Sequence, residues 1–268
     1  MMNKFTISLI LLNIIILTTT SCKRNNTFYL NDVEIKNGDL LFQQSVETPL
    51  EDAISSVTYT NGEKYSFTHV GIVYKVNNEF YVIEAAPSKV KITPINKFLL
   101  GHIEDKKEYN NNNCTKDCNL NRCNEEINFG TNNNYLNQNL EPQTPCNFQL
   151  ITVPARLKKE YQHLIKPALK NAQKYINMDY DYEYLPNNNK MYCSELIYLI
   201  FKEANKGDPI FEAKPMTFKV YDKDTDSSYF HPLWIKHYKK LNIPIPEGEI
   251  GTNPADMAKS DLIEFLTN

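Results

Sequence analysis

The chain has 268 residues, 41% of them hydrophobic, and a formal net charge of −3. Its length and apolar content are sufficient for at least one sizeable folded domain, and the lack of a basic stripe argues against a nucleic-acid partner. Beyond the N-terminal segment, no apolar run approaches the roughly 20 residues that a membrane-spanning helix needs.

The first residues have the order of an export signal. Lys4 makes the start weakly positive, residues 5–17 are mostly apolar, and residues 18–21 are small and polar. The apolar run is too short to span a bilayer, and the next residue, Cys22, resembles the lipidated cysteine of a bacterial lipobox. We therefore predict a signal peptide over residues 1–21 and a lipid anchor on Cys22. The expected location is the cell envelope, at the periplasmic face or the outer membrane; simple secretion and an uncleaved anchor are the alternatives.

β-Branched and aromatic residues predict a β-hairpin in the first half of the chain. Residues 65–75 are rich in them, Asn77-Asn78 interrupts the run, and residues 80–84 resume it. Residues 39–42, which follow a turn signal, and residues 89–93 are expected to add further strands.

Residues 104–149 differ in composition from the rest of the chain. Fourteen of these 46 residues are Asn, which lowers helix and strand propensity alike. The segment also contains Cys114, Cys118, Cys123 and Cys146. An even number of cysteines in an exported protein favours two disulfides. A zinc module is the alternative, although the usual C-x2-C pairs are absent. We therefore predict a surface insertion pinned by its cysteines.

The second half of the chain predicts helices. Residues 157–176 have apolar side chains at helical spacing, and Pro167 is expected to kink this helix or divide it in two. Residues 193–205 form the clearest helical pattern, with one apolar stripe. Asn253 has the character of an N-cap for a last helix over residues 255–266.

Cys193 is the one cysteine that neither the predicted anchor nor the insertion accounts for. It stands at the start of its helix and outside the apolar stripe. The unpaired N–H groups and the helix dipole at that position favour a thiolate over a thiol. The pattern therefore indicates a nucleophile; a half-buried structural cysteine is the alternative.

A base for this nucleophile is found in the predicted hairpin. If Asn77-Asn78 forms a two-residue turn, Gly71 faces Glu84, and His69 shares one face of the sheet with Glu84. The two would then be diagonal neighbours, roughly 7–8 Å apart at the backbone. A carboxylate that orients an imidazole is the third member of a catalytic triad. A structural role for His69 is the alternative.

Five segments in this order resemble a known family. Two of the segments contain His69 and Cys193. The five segments are GDLLF (38–42), FTHVGIVY (67–74), YVIEA (81–85), MDYDYEY (178–184) and YCSELIY (192–198). The set resembles the YiiX/YebB-like group of NlpC-type cysteine peptidases and amidases. In that group the papain-like topology is circularly permuted, so that the histidine strand precedes the cysteine helix. The resemblance covers residues 38–103 and 150–260.

The resemblance implies an α+β fold with a circularly permuted papain-like topology. It implies an antiparallel, barrel-like sheet packed against the nucleophile helix, within one domain over residues 22–268. It makes Cys193 the nucleophile, His69 the base and Glu84 the group that orients the histidine. Two further residues are expected near the substrate and the oxyanion, namely Tyr192 beside the nucleophile and Asp181 in the loop leading to it.

The expected function is that of a cysteine-dependent amidase or peptidase of the cell envelope, acting through an acyl-thioester on cell-wall peptides or another acyl-amide. The first alternative is a thiol acyltransferase or an N-acyl or lipid amidohydrolase. The second is a lipoprotein that binds a ligand without catalysis, and the third is a redox or adhesion role of the insertion. No metal-binding or phosphate-binding motif occurs, so we expect neither a metal nor another cofactor.

Overall fold

A computed structural model describes residues 26–45, 48–59, 63–101 and 150–266. The predicted signal peptide with Cys22 lies outside these ranges, and so does the predicted insertion with Cys114, Cys118, Cys123 and Cys146. The lipid anchor, the disulfides and the domain boundaries therefore stay predictions. Within the described ranges, no helix has the length and apolar character needed to cross a membrane.

Short strands and helices alternate along the described chain. The strands are β1 Phe28–Leu30, β2 Val33–Ile35, β3 Leu40–Gln44, β4 His69–Val76, β5 Glu79–Ala86, β6 Lys89–Pro94, β7 Ile151–Leu157, β8 Lys214–Pro215, β9 Lys219–Asp222, β10 Ser227–Phe230, β11 Ile250–Gly251 and β12 Ile263–Phe265. The α-helices are α1 Pro49–Thr58, α2 Ile95–Leu99, α3 Ile165–Ala172, α4 Cys193–Ala204, α5 Pro232–Leu241 and α6 Pro254–Ala258.

A six-stranded antiparallel sheet in the order β12-β7-β3-β4-β5-β6 forms the centre of the fold. One face packs against α3 and α4, and the apolar stripe of α4 is buried there. The other face is covered by α2 and the β1–β2 hairpin, over Leu41, Val73 and Val82. Burial of one large aliphatic or aromatic side chain contributes about 1.5–3 kcal/mol, so both layers stabilise the sheet.

The central sheet is open, with β12 and β6 at its two edges. The predicted α+β class, the antiparallel sheet and the helix packed against it are confirmed. The predicted barrel-like closure is wrong, because these two edge strands do not pair with each other in the described part of the chain. A barrel fills its interior with the side chains of its own strands. Here each face of the sheet is covered by other elements instead, so the sheet needs no closure.

The register of the β4–β5 hairpin agrees with the prediction. Ile72 pairs with Ile83 and Val76 pairs with Glu79, so the turn is Asn77-Asn78. Both asparagines have positive φ, 50° and 64°, as the two central residues of a type I′ turn require. Asparagine tolerates this conformation, and the turn therefore fixes which residues of the two strands share a face.

The helix predicted over residues 157–176 is divided, and Pro167 accounts for the division. A 3-10 turn over Lys159–Leu164 precedes α3, and Pro167 is the third residue of α3. The first N–H groups of a helix have no acceptor within it, so a proline there removes no hydrogen bond.

The predicted last helix is shorter than expected. Asn253 caps it as predicted, since its side chain accepts a hydrogen bond from the Asp256 N–H at 2.7 Å. The helix ends at Ala258, however, and Ile263–Phe265 forms β12, which pairs with β7. The prediction of a helix to residue 266 is wrong because pairing with a distant strand overrides local helical spacing.

Candidate active site

Cys193 is the first residue of α4 and its side chain is buried. Tyr192 precedes it in extended conformation, and the first hydrogen bond of the helix runs from the Leu196 N–H to the Tyr192 carbonyl. The N–H groups of Cys193 and Ser194 consequently have no acceptor within the helix. They are in place to bind negative charge that develops next to the sulfur.

His69 and Glu84 form a hydrogen-bonded ion pair beside this helix terminus. His69 Nε2 donates to Glu84 Oε2 at 2.7 Å, and Glu84 has no exposed surface. Thr93 Oγ1 donates to the other carboxylate oxygen, Oε1. The ring of Phe98 from α2 packs against His69, with the ring centres 5.7 Å apart. The imidazole is therefore held by the Glu84 carboxylate on one side and by the Phe98 ring on another.

The structure brings His69 into hydrogen-bonding contact with Cys193. Burial alone would lower the pKa of His69, but hydrogen bonds to Cys193 and Glu84, and the charges of both, raise it from 6.5 to about 10. The imidazole is therefore protonated at neutral pH. Since Glu84 occupies Nε2, the hydrogen bond to Cys193 falls to the other ring nitrogen, Nδ1.

A pocket of about 250 Å³ opens next to Cys193. One wall is aromatic and consists of Tyr180, Tyr184, Tyr192, Phe218 and Trp234. Aliphatic and thioether side chains line it as well, namely Ile54, Val57 and Met216. The pocket therefore presents mostly apolar surface to whatever reaches the sulfur.

Asp181 does not line the pocket and shapes the loop that leads to Cys193. Its buried carboxylate accepts hydrogen bonds from the N–H groups of Glu183 at 2.8 Å and Leu185 at 2.9 Å. These bonds close a tight loop between Tyr180 and Tyr184. Of the two residues expected near the substrate, the structure brings Tyr192 to the pocket and leaves Asp181 in this supporting position.

Tyr180 and Tyr184 present their hydroxyl groups near Cys193. The two oxygens are 3.4 Å apart, and both residues line the pocket. Burial raises the pKa of each phenol well above its ordinary value, and charge on Cys193 adds to this effect. Both phenols are therefore protonated and able to donate hydrogen bonds.

Thr252 connects the two residues that flank Cys193. Its N–H donates to the Tyr192 hydroxyl at 3.0 Å, and its Oγ1 donates to Ser194 Oγ at 3.0 Å. All three side chains are buried and line the pocket. Thr252 therefore fixes the start of α4 on both sides of the sulfur.

Sequence reasoning missed several residues of this pocket. Tyr180 and Tyr184 stand in the MDYDYEY segment, so the density of tyrosines just ahead of Cys193 was a usable signal. Trp234 and Thr252 follow the nucleophile by dozens of residues and belong to no pattern that relates them to it. Among the described residues, no group of three or more His, Cys, Asp or Glu side chains is placed to hold a metal ion.

A histidine strand that precedes a cysteine helix, on an open antiparallel sheet, defines a papain-like protein of permuted order. The family of permuted papain-like amidase enzymes named YaeF/YiiX matches residues 127–267, and the chain belongs to this family. The matched range contains Cys193, whereas His69 and Glu84 lie before it, so their place in the site depends on the geometry described above.

The fold is also found in a solved structure. The crystal structure of metalloprotein yiiX from Escherichia coli O157:H7 matches with a TM-score of 0.53 and 18% identity, over 87% of this chain and 97% of that chain. At this identity the likeness shows the fold. No curated protein matches the chain in sequence.

Proposed function

We propose that this protein is a cysteine-dependent amidase or peptidase of the cell envelope. The observation that carries the proposal is the hydrogen-bonded series Cys193–His69–Glu84, whose Cys193 lines a pocket. Membership of an amidase family supports the reaction class. The predicted export signal supports the location.

His69 has two successive tasks in the proposed reaction. Its positive charge favours the Cys193 thiolate, which attacks the carbonyl carbon of an amide. His69 then gives its proton to the leaving amine, and an acyl-thioester on Cys193 remains. In the second half, His69 takes a proton from water, the resulting hydroxide attacks the thioester, and the carboxylic acid departs. Glu84 orients the imidazole in both halves and stabilises it whenever it carries the extra proton.

The carbonyl oxygen becomes negatively charged in the tetrahedral intermediates and needs hydrogen-bond donors. We assign this task to the N–H groups at the start of α4 and to the phenol pair of Tyr180 and Tyr184. Donors that are fixed before the reaction stabilise the developing charge without reorganisation. The two phenols keep their protons because burial raises the pKa of both.

The substrate is an amide whose acyl side enters the aromatic pocket. Cell-wall peptides fit the predicted compartment and are the leading substrate class. The apolar lining favours a second candidate, in which an N-acyl or lipid amide is hydrolysed or its acyl group is transferred. Ile54, Val57 and Met216 would contact an acyl chain there without leaving a polar group unpaired.

Product analysis by mass spectrometry tests both candidates. Purified full-length protein is incubated with peptidoglycan fragments and, in parallel, with N-acyl amides of increasing chain length. A Cys193→Ala variant serves as the control. We expect new carboxylic acid and amine products, or an acyl-transfer product, with the wild-type protein alone. If wild type and variant give the same result with both sets, Cys193 does not catalyse these reactions and the proposal fails.

A further inference from the structure

We propose that Thr93 is a positioning residue of this site, which acts on His69 through Glu84 and so sets the reactivity of Cys193. The inference rests on the proposed function, since it concerns the same nucleophile. Thr93 touches neither the sulfur nor the imidazole in the described contacts. Its influence passes through the carboxylate of Glu84, which lies between Thr93 and the imidazole of His69.

Strand register places Thr93 next to Glu84. On β5 and β6, Val82 pairs with Thr93 and Glu84 pairs with Lys91. Thr93 is therefore the diagonal neighbour of Glu84 on the same face of the sheet. With His69 on β4, the three side chains form a row across three adjacent strands, β4, β5 and β6.

The carboxylate of Glu84 uses its two oxygens on two different partners. Oε2 accepts from His69 and Oε1 accepts from Thr93. Because Glu84 has no exposed surface, its negative charge depends on hydrogen bonds rather than on water. The Thr93 hydroxyl stabilises that charge and fixes the rotation of the carboxylate plane, so that Oε2 faces the imidazole.

Thr93 is held in place because it lies where β6 leads directly into α2. Pro94 follows it directly as the N-cap of α2, and Phe98 on that helix contacts the His69 ring. Gln43 Nε2 donates to the Phe98 carbonyl at 2.8 Å and ties the helix to the central sheet. One short segment thus contacts both members of the ion pair, the carboxylate through Thr93 and the imidazole through Phe98.

Loss of the Thr93 hydroxyl has a defined consequence. Glu84 would hold its negative charge less well, so the protonated imidazole would be less stable. The thiolate of Cys193 would then be less favoured, because the positive charge of its partner is less stable. Since a hydrogen bond to a charged group is worth more than a neutral one, we expect an upward shift of about 0.5–1 pH unit in the midpoint of Cys193 reactivity.

The test follows alkylation of Cys193 by iodoacetamide from pH 4 to pH 9, quantified by mass spectrometry of the peptide that contains this cysteine. Thr93→Val removes the hydroxyl at nearly constant volume, and Thr93→Ser retains it. Thr225→Val is the matched control, since the Thr225 hydroxyl also donates to a carboxylate, that of Asp222, in the exposed turn between β9 and β10. We expect a shifted midpoint in Thr93→Val only, with Thr93→Ser close to wild type. If Thr93 had a purely structural role, the midpoint of alkylation would not depend on whether the hydroxyl group is present.

Three results would overturn the inference. Thr93→Val could superimpose on wild type, Thr93→Ser could shift as far as Thr93→Val, or Thr225→Val could shift equally. A His69→Ala variant separates this outcome from failure of the proposed function. If His69→Ala leaves the curve unchanged, the proposed function fails; if it shifts the curve and Thr93→Val does not, only the role of Thr93 is wrong.

Discussion

His69 Nε2 and Glu84 Oε2 meet at 2.7 Å across two adjacent antiparallel strands, 15 residues apart in sequence. The carboxylate is fully buried, and a buried charge is costly unless it is paired. Loss of His69 would leave the buried charge of Glu84 without its ion-pair partner, so the pair affects the stability of the fold as well as the proposed chemistry of the site. This dual role makes the protonation of His69 measurable by two independent methods.

The first prediction concerns stability against pH. The folded pKa of His69, about 10, lies above the ordinary value of 6.5, so its contribution is fully present below pH 6.5 and is lost as pH rises through about 10. We expect the free energy of unfolding in urea to fall between pH 7 and pH 10.5 more steeply in wild type than in His69→Gln. His163→Gln, at an exposed histidine outside the site, is the control. Equal slopes in wild type and His69→Gln would show that the ion pair does not form.

The second prediction concerns the reactivity of Cys193 at pH 6. The positive charge of His69 favours the thiolate, so His69→Ala should lower the rate of alkylation of Cys193 by iodoacetamide at least about tenfold. Labelling is quantified on the Cys193 peptide, and His237→Ala, on α5, serves as the control. An unchanged rate in His69→Ala would contradict the assignment of His69 as the base.

The third prediction distinguishes the proposed role of Tyr180 and Tyr184 in binding the oxyanion from the reactivity of Cys193. Removal of both hydroxyls in the Tyr180→Phe/Tyr184→Phe double variant should lower kcat about 10²–10³-fold, the usual effect of losing an oxyanion donor. Alkylation of Cys193 forms no oxyanion and should stay near the wild-type rate. Tyr182→Phe is the matched control, since Tyr182 is in the same loop but does not line the pocket. If turnover survives the double change, the backbone N–H groups at the start of α4 are sufficient as oxyanion donors, and the role assigned to the tyrosine pair is wrong.

Local sequence patterns were sufficient to predict that Cys193, His69 and Glu84 lie together. The Asn77-Asn78 turn fixes the strand register, and the register in turn places His69 and Glu84 on one face. Cys193 at the start of α4 followed from the apolar stripe of that helix. Each of these inferences depends on residues close together in the chain, where periodicity and turn chemistry decide the conformation.

The rest of the site depends on contacts between distant segments. Trp234 reaches the pocket from α5, and Thr252 reaches Tyr192 from the end of β11, 60 residues away. The strand at Ile263–Phe265 exists because β7 pairs with it. No local pattern carries these relationships, because long-range pairing and packing decide them rather than propensity.

The fourth prediction concerns the N-terminal anchor. If Cys22 is lipidated, the protein should label with an alkyne-bearing fatty acid in growing cells and sediment with the membranes. Cys22→Ser should abolish both properties, whereas Ser21→Ala retains a small residue before the cysteine and should preserve them. Label that persists in Cys22→Ser would contradict the anchor, and soluble unlabelled wild-type protein would favour simple secretion.

The fifth prediction concerns the cysteines of the insertion. In mature protein whose Cys22 carries the predicted lipid, two disulfides among Cys114, Cys118, Cys123 and Cys146 leave Cys193 as the only free thiol when the protein is unfolded without reductant. Alkylation under these conditions should therefore modify Cys193 alone, and reduction beforehand should expose the other four. The Cys193→Ser variant should show no alkylation until it is reduced. Three or four reactive thiols in the insertion without reductant would contradict the disulfides. Thiols that are protected by bound zinc and become reactive when a chelator removes it would favour the metal alternative.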